Sequence, residues 1–249
     1  MNFEKLFSSG LPSQEKPKRV RSKITAAALE RKLDSFDREG DPWPIKSLWV
    51  SGLGKINIPT WIIDYWSPGH RKENWRSRLY GETGNVVHRI IQEHLFGSKV
   101  LTQLEEPRVF CQNFGFSGKV DGLLHGQEFG IDGIVHGEIK VCNSFYYKEW
   151  QHPDSLPVDY RMQATVYQKL LEKEETCFIL VNRDDFSFRT LFYHGEESLW
   201  ETAKSIARDC WGHIRNRTFP GSFDGDFEAW VAKQIEAQPE RKFVVFPCE

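Results

Sequence analysis

Asp121, Glu138 and Lys140 are the residues whose types and spacing could do chemistry together. They lie in G-K-V-D-G (118–122) and E-I-K (138–140). Both segments read as strands. The period-two geometry of a strand puts Glu138 and Lys140 on one face and Ile139 on the other. An antiparallel neighbour could bring Asp121 beside Glu138. Two carboxylates held close make a hard, oxygen-rich site suited to Mg²⁺ or Mn²⁺. A lysine beside them can position or deprotonate a water, or stabilise negative charge on a phosphate. Metal, activated water and cation are together the parts of phosphodiester hydrolysis. An E-x-K alone is more often a solvated surface tripeptide; the upstream Asp121 weighs against that.

Two further motifs fall in order along the chain. Gly84-x-x-x-His88 precedes the strands on a helical stretch. Neutral imidazole is a good transition-metal ligand, and a glycine one turn earlier lets another backbone approach. Gln163-x-x-x-Tyr167 follows the strands, and its spacing of four puts both side chains on one helix face. Each motif alone reads as a core or boundary feature.

The elements that must position these residues follow from periodicity. Residues 23–38, 59–66, 159–173 and 196–217 read as helices, with a modest helix near 226–237. Gly81 and Gly84 open another, carrying Val87, Ile90, Ile91 and Leu95 and closed by Gly97. RVFCQNF, GKVDGLL and IVHGEIKV read as strands between glycine-containing turns. TCFILVN and FSFRTLFY flank a hairpin at Arg183–Asp185, and FVVF reads as a last strand. This order predicts an α/β (mixed α+β) fold, a mixed β-sheet flanked by helices. Residues 1–22 read as a flexible basic arm and 23–249 as one domain, its core at about 60–220.

The series G-x-x-x-H, G-x-x-D, E-x-K, Q-x-x-x-Y resembles the RecB-type branch of the PD-(D/E)XK nuclease superfamily. That branch includes phage exonucleases, CRISPR-associated adaptation nucleases and mitochondrial genome-maintenance exonucleases. Trp75, Arg76 and Arg78 resemble the W-x-x-R segments of its phage-type members. The resemblance implies a restriction-endonuclease-like core and a metal-dependent deoxyribonuclease, an exonuclease or DNA-end-processing enzyme of recombination, repair or phage DNA metabolism. It implies His88, Asp121 and Glu138 as metal ligands, completed by the Ile139 carbonyl and holding one or two Mg²⁺ or Mn²⁺ ions. Lys140 would be the catalytic lysine, and Gln163 and Tyr167 would contact DNA or brace the site. Asp121 is preferred to Asp132, which reads as a turn in GIDG. The implied substrate is DNA, single-stranded or at duplex ends.

Two departures stand out. Many members carry an acidic residue four after the histidine, where this chain has Gln92. That motivates an alternative: a catalytically weak DNA-binding or inhibitory protein on the same fold. A third reading is an endonuclease subunit of a larger defence or transposition complex. Many adaptation-type members also carry four iron–sulfur cysteines, one of them before the histidine helix. Here the five cysteines are widely spaced and begin at Cys111, so no cluster is expected.

Other features read more plainly. Ser51–Lys55 (SGLGK) lacks the phosphate-loop spacing and reads as a turn. Cys142 reads as a buried thiol, and His136 as a satisfied strand histidine or an accessory ligand. Arg71, Lys72, Arg76 and Arg78 around Trp75 form either a solvated helix face or a DNA-facing patch. No apolar run approaches the roughly 20 residues of a membrane span. The cysteine count is odd and no secretory signal is visible, which points to a cytoplasmic setting without membrane contact. A protein partner in a recombination, replication or defence complex fits the arm and the Trp-rich 43–75 region. The net charge is −2, of which residues 1–23, with six basic and two acidic residues, contribute +4. DNA would therefore be gripped through a local groove and the metals, not a basic exterior.

Overall fold

The computed structural model of the chain describes residues 47–66, 75–221 and 225–237, all within the unit Arg38–Glu249. The expected arm, the 23–38 helix and the FVVF strand lie outside the described residues. Among the described residues no helix is long and apolar enough to cross a membrane.

The chain is mixed α/β, with helices flanking two mixed sheets. A short strand β1 (Leu48–Trp49) leads through a 3₁₀ turn to helices α1 (Ile58–Trp66) and α2 (Trp75–Gly97). Strands β2 (Arg108–Cys111), β3 (Phe116–Lys119), β4 (Gly122–His125) and β5 (Ile134–Cys142) follow. Then come helices α3 (Ser144–Glu149) and α4 (Val158–Leu171), strands β6 (Glu175–Asn182) and β7 (Phe188–His194), and helices α5 (Glu197–Asn216) and α6 (Phe227–Glu236). One sheet has the order β1-β3-β2, the other β4-β5-β6-β7.

The division into two sheets falls inside GKVDGLL, which reads as one strand from its pattern. Residues 116–119 pair with β1 and β2, whereas 122–125 pair antiparallel with β5. Val120 and Asp121 form the crossing point. Val120 is fully buried, and its N–H donates to the Pro107 carbonyl (2.9 Å). Asp121 therefore sits between strands rather than within one, opposite the end of the β4–β5 ladder and close to Glu138.

β6 explains the depth of the larger sheet. Its run Cys177–Val181 is apolar on both faces, as a central strand with a parallel neighbour requires. Cys177, Ile179 and Val181 pack with Ile91 of α2, while Phe178 and Leu180 pack with Ala164 of α4. Burying each large side chain contributes on the order of 2 kcal/mol. The smaller sheet packs Leu48 and Phe116 against Met162, Val166 and Tyr167 of α4 and against α5. On α5 the buried residues Leu199, Ala203, Ala207, Cys210 and Ile214 recur at helical spacing.

α2 begins at Trp75, earlier than its glycines suggest. Gly81 and Gly84 lie inside it, each with open space where a Cβ would stand. A mid-helix glycine costs about 1 kcal/mol against alanine, which the length of the helix absorbs. α3 has a local signal that periodicity misses: the Asn143 side chain caps it by accepting the Tyr146 N–H (3.0 Å).

Gly118 has no room for a side chain. A Cβ there would lie 2.4 Å from the Tyr167 hydroxyl and 2.8 Å from its ring. Tyr167 is itself buried and cannot retreat. Gly118→Ala is expected to lower stability by about 1–3 kcal/mol. A thermal melt checks this, and an unchanged midpoint would contradict the packing described.

Candidate active site

The site lies where β4, β5, α2 and α4 meet, along an open groove of about 520 Å³. Two groups of side chains line or underlie it. The first is a ligand-type cluster. His88 Nε2 of α2 lies 3.2 Å from Asp121 Oδ2. Glu106, from the segment before β2, joins them, and one ligand atom from each residue falls within 4.8 Å of the others. The Asp121 carboxylate also accepts the Ile139 N–H (2.8 Å), which fixes it against the middle of β5. Burial disfavours charge on His88, but the Asp121 carboxylate outweighs it and raises the imidazole pKa above its ordinary value.

The second group is a buried ion pair with its braces. Alternation along β5 places His136, Glu138 and Lys140 on the face toward α4, as the strand reading expects. Glu138 is fully buried. One carboxylate oxygen accepts from Lys140 Nζ (2.7 Å) and from the Gln163 amide (3.1 Å); the other is 3.0 Å from His136 Nε2. Lys140 Nζ also donates to the Gln163 carbonyl (3.1 Å) and lies 5.0 Å from the centre of the Tyr160 ring. Behind them, His136 Nδ1 meets the Thr176 hydroxyl (2.9 Å), and that hydroxyl accepts from the Gln168 amide (2.7 Å). His136 is thus a fully satisfied strand histidine.

These bonds hold the pair ionised. Burial pushes the Glu138 pKa up, but the Lys140 ammonium and His136 outweigh it and hold the carboxyl well below its ordinary value of 4.5. Burial lowers the Lys140 pKa, but Glu138 and Asp121 outweigh it and raise the ammonium above its ordinary 10.5. The sign of the linkage follows. Glu138 contributes stability that is present above pH 4.5 and lost as pH falls through its depressed folded value. Lys140 contributes stability that is present below pH 10.5 and lost as pH rises through its raised folded value. The metal-free protein is expected to lose stability steeply below pH 4.5, and Glu138→Gln should flatten that acid limb. Denaturant midpoints across pH check it; an equally steep limb in the variant would place the effect elsewhere.

Tyr167 ties the two sheets together. Its hydroxyl donates to the Lys119 carbonyl (2.8 Å), bracing the strand that leads to Asp121. Gly118 makes that approach possible, so G-x-x-D and Q-x-x-x-Y are packed on each other. Gln163 and Tyr167 both line the groove. Ile139 lines it as well. Trp75, Arg76 and Arg78 enter α2 in its first turn; their side chains, with Arg71 and Lys72, lie outside the described residues. Asp132 sits in the bend before β5.

Glu106, Lys55 and Lys119 also line the groove, and the motif spacings give none of them a role. Glu106 stands with His88 and Asp121, whereas the Glu138 oxygens face His136, Lys140 and Gln163. Gln92 connects to Glu106: its amide nitrogen lies 2.7 Å from the Asp121 carbonyl and 3.4 Å from Glu106 Oε1. The Glu106 carboxylate thus lies beside the Gln92 amide. Lys55 belongs to the SGLGK turn, a 3₁₀ turn in the structure, and pairs with Asp159 (2.5 Å) on the groove wall. Lys119 follows Gly118 and pairs with Glu106 (3.6 Å). Cys142 packs in the apolar cluster with Trp150, where burial pushes its thiol up to about 11. A second cavity of about 410 Å³, against Trp211 and Arg215 of α5, carries none of these groups.

No family model matches the chain, and no curated protein matches it. Solved structures similar to it include an alkaline exonuclease (LHK-Exo) from Laribacter hongkongensis. That match has 13% identity, covers 78% of this chain and 94% of that one, and has a TM-score of 0.48. LHK-Exo in complex with dAMP gives 12% identity, 77% and 95% coverage and a TM-score of 0.49. The structure of SSO0001 gives 16% identity, 68% and 77% coverage and a TM-score of 0.41. At these identities and scores the matches assign no activity to this chain.

Proposed function

We propose that the chain is a divalent-metal-dependent deoxyribonuclease that hydrolyses phosphodiester bonds at DNA ends, in recombination, repair or phage DNA metabolism. One observation carries this reading: a His–Glu–Asp ligand cluster and a braced lysine ammonium share one open groove. The order of the four motifs, which resembles the RecB-type nucleases, supports it independently.

The donor set fits a metal. One imidazole and two carboxylates suit Mn²⁺ and Mg²⁺, and no thiolate lies among them to favour softer ions. His88, Glu106 and Asp121 would hold the ion. When bound, it would acidify a coordinated water and offset phosphate charge. The residues of the chain do the rest. Ile139 N–H and Gln92 fix the orientation of Asp121 and Glu106. Glu138, expected from its motif as a further ligand, here orients Lys140 together with Gln163. The Lys140 ammonium donates to a phosphate oxygen and stabilises the charge that grows on it during hydrolysis. Lys55 and Lys119 on the groove wall attract the phosphate backbone.

A catalytically weak DNA-binding protein is motivated by Gln92 alone. The Glu106 carboxylate beside the Gln92 amide supports hydrolysis over that reading. The test uses single-stranded and duplex DNA labelled at either end, incubated with Mg²⁺ or Mn²⁺ and with EDTA. Shortened products are expected in the metal reactions and absent in EDTA. DNA binding without products in either metal would overturn the proposal and favour the alternative.

A further inference from the structure

The smaller sheet has an outer face that the hydrolytic reading does not use. Register aligns Trp49 of β1 with Ser117 of β3, and Ser117 with Phe110 of β2. Paired residues of neighbouring strands share a face, so these three form a row across the sheet. The next row pairs Lys119 with Arg108. The burial alternation agrees: Leu48, Val109 and Phe116 point into the core, while the other set faces solvent. Trp49 is 44% exposed and Phe110 67% exposed. Two large rings thus stand open on one face beside two cations. Arg108 makes no ion pair among the described residues.

This face runs into the candidate active site. Trp49 and Lys119 both line the groove that holds His88, Asp121 and Lys140. Ser117 keeps the middle of the row low, its hydroxyl 2.5 Å from that of Ser47. A ligand lying on the face would therefore rest on the two rings and follow the Lys119 edge toward Asp121.

We infer that this face is a docking track for single-stranded DNA, with bases stacked on Trp49 and Phe110 and phosphates paired with Arg108 and Lys119. The inference rests on the DNA reading of the site and names its substrate form. Exposed rings interleaved with cations on a sheet suit unpaired bases, whose faces are free to stack. In a duplex the bases already stack on each other, so the rings gain nothing from it. Charge favours a polyanion over a protein partner on the same face: Arg108 has no ion pair among the described residues, and Lys119, 45% exposed, reaches Glu106 only at 3.6 Å, so both can meet phosphates.

The test is an anisotropy titration of the full chain in EDTA, where no metal-dependent cleavage occurs. The ligands are an oligo(dT) long enough to cross the face and a duplex of equal length. The oligo(dT) is expected to bind more tightly. Phe110→Ala should weaken it about tenfold, the scale of one lost base–aromatic stack, and leave duplex affinity unchanged. Phe110→Trp should retain tight binding, which separates stacking from any change of fold. Equal affinity for the duplex, no effect of Phe110→Ala, or a change of oligomeric state in place of DNA affinity would overturn the track. The two readings fail separately. If the wild type binds oligo(dT) through Phe110 but cuts nothing in Mn²⁺, the hydrolytic reading falls and the track stands. If it cuts while binding ignores Phe110, the reverse holds.

Discussion

Lys140→Ala is expected to reduce DNA cleavage about a thousandfold. The lysine is the cation placed to meet developing phosphate charge, and removing one such preorganised donor costs on this scale. Its ammonium is held from two sides, by Glu138 at 2.7 Å and Gln163 at 3.1 Å, so no neighbouring lysine replaces it in that position. The substitution also carries a structural cost. It leaves Glu138 fully buried with His136 and Gln163 as its remaining partners. Breaking a buried pair by removing one member costs about 3–5 kcal/mol, and His136 offsets part of that. Activity is therefore best compared at low temperature, with circular dichroism to confirm that the variant is folded. A folded Lys140→Ala protein that keeps full metal-dependent cleavage would remove the lysine from the chemistry.

Asp121→Asn is expected to abolish cleavage by a different route. Asp121 is the hub of the ligand cluster: it faces His88, accepts from Ile139 N–H, and its carbonyl meets Gln92. The amide oxygen of asparagine can still accept the Ile139 N–H, so the strand crossing keeps its tie. The negative charge is lost, and with it one of two carboxylates in the cluster. Mn²⁺ affinity should fall about a hundredfold or more, larger than the loss typical of an outer-shell change. A calorimetric Mn²⁺ titration alongside the cleavage assay reads both effects. Unchanged affinity for the ion would show that Asp121 does not hold it.

The two variants separate the halves of the site. Lys140→Ala should not weaken metal binding, because Lys140 hydrogen-bonds Glu138 and Gln163 and acts on Asp121 and His88 only through its charge, whose loss favours a cation there. Asp121→Asn should spare the Glu138–Lys140 pair, whose bonds lie on the α4 side of β5.

What was legible in the residues was local. Strand alternation places Glu138 and Lys140 on one face, helical spacing places Gln163 and Tyr167 together, and both hold in the structure. The apolar residues around Ile91 and along Cys177–Val181 likewise meet, α2 covering one side of the central strand β6 and α4 the other. What was not legible depends on distant contacts. Glu106 lies in Glu105-Glu106-Pro107, a pattern that is ordinary on a surface. It reaches His88 only because β2 pairs with β3 and because the Pro107 carbonyl accepts from Val120. The only signal pointing to it was the missing acid at position 92, which implies a carboxylate from somewhere else. The split of GKVDGLL is hidden for a similar reason: both halves alternate correctly, and only their partners differ. Nothing local marks Lys55, because its turn lacks a phosphate-loop pattern; its place on the groove wall comes from the close packing of Gly54 against Asp159.

If His88, Glu106 and Asp121 hold a divalent ion beside Lys140, crystals grown with Mn²⁺ and measured for anomalous scattering will locate it there. An anomalous peak is expected within coordination distance of the His88 imidazole and the Glu106 and Asp121 carboxylates, absent from crystals of Asp121→Asn. A protein that cleaves DNA in Mn²⁺ but shows its ion elsewhere, or shows no ion among these three residues, would contradict that placement.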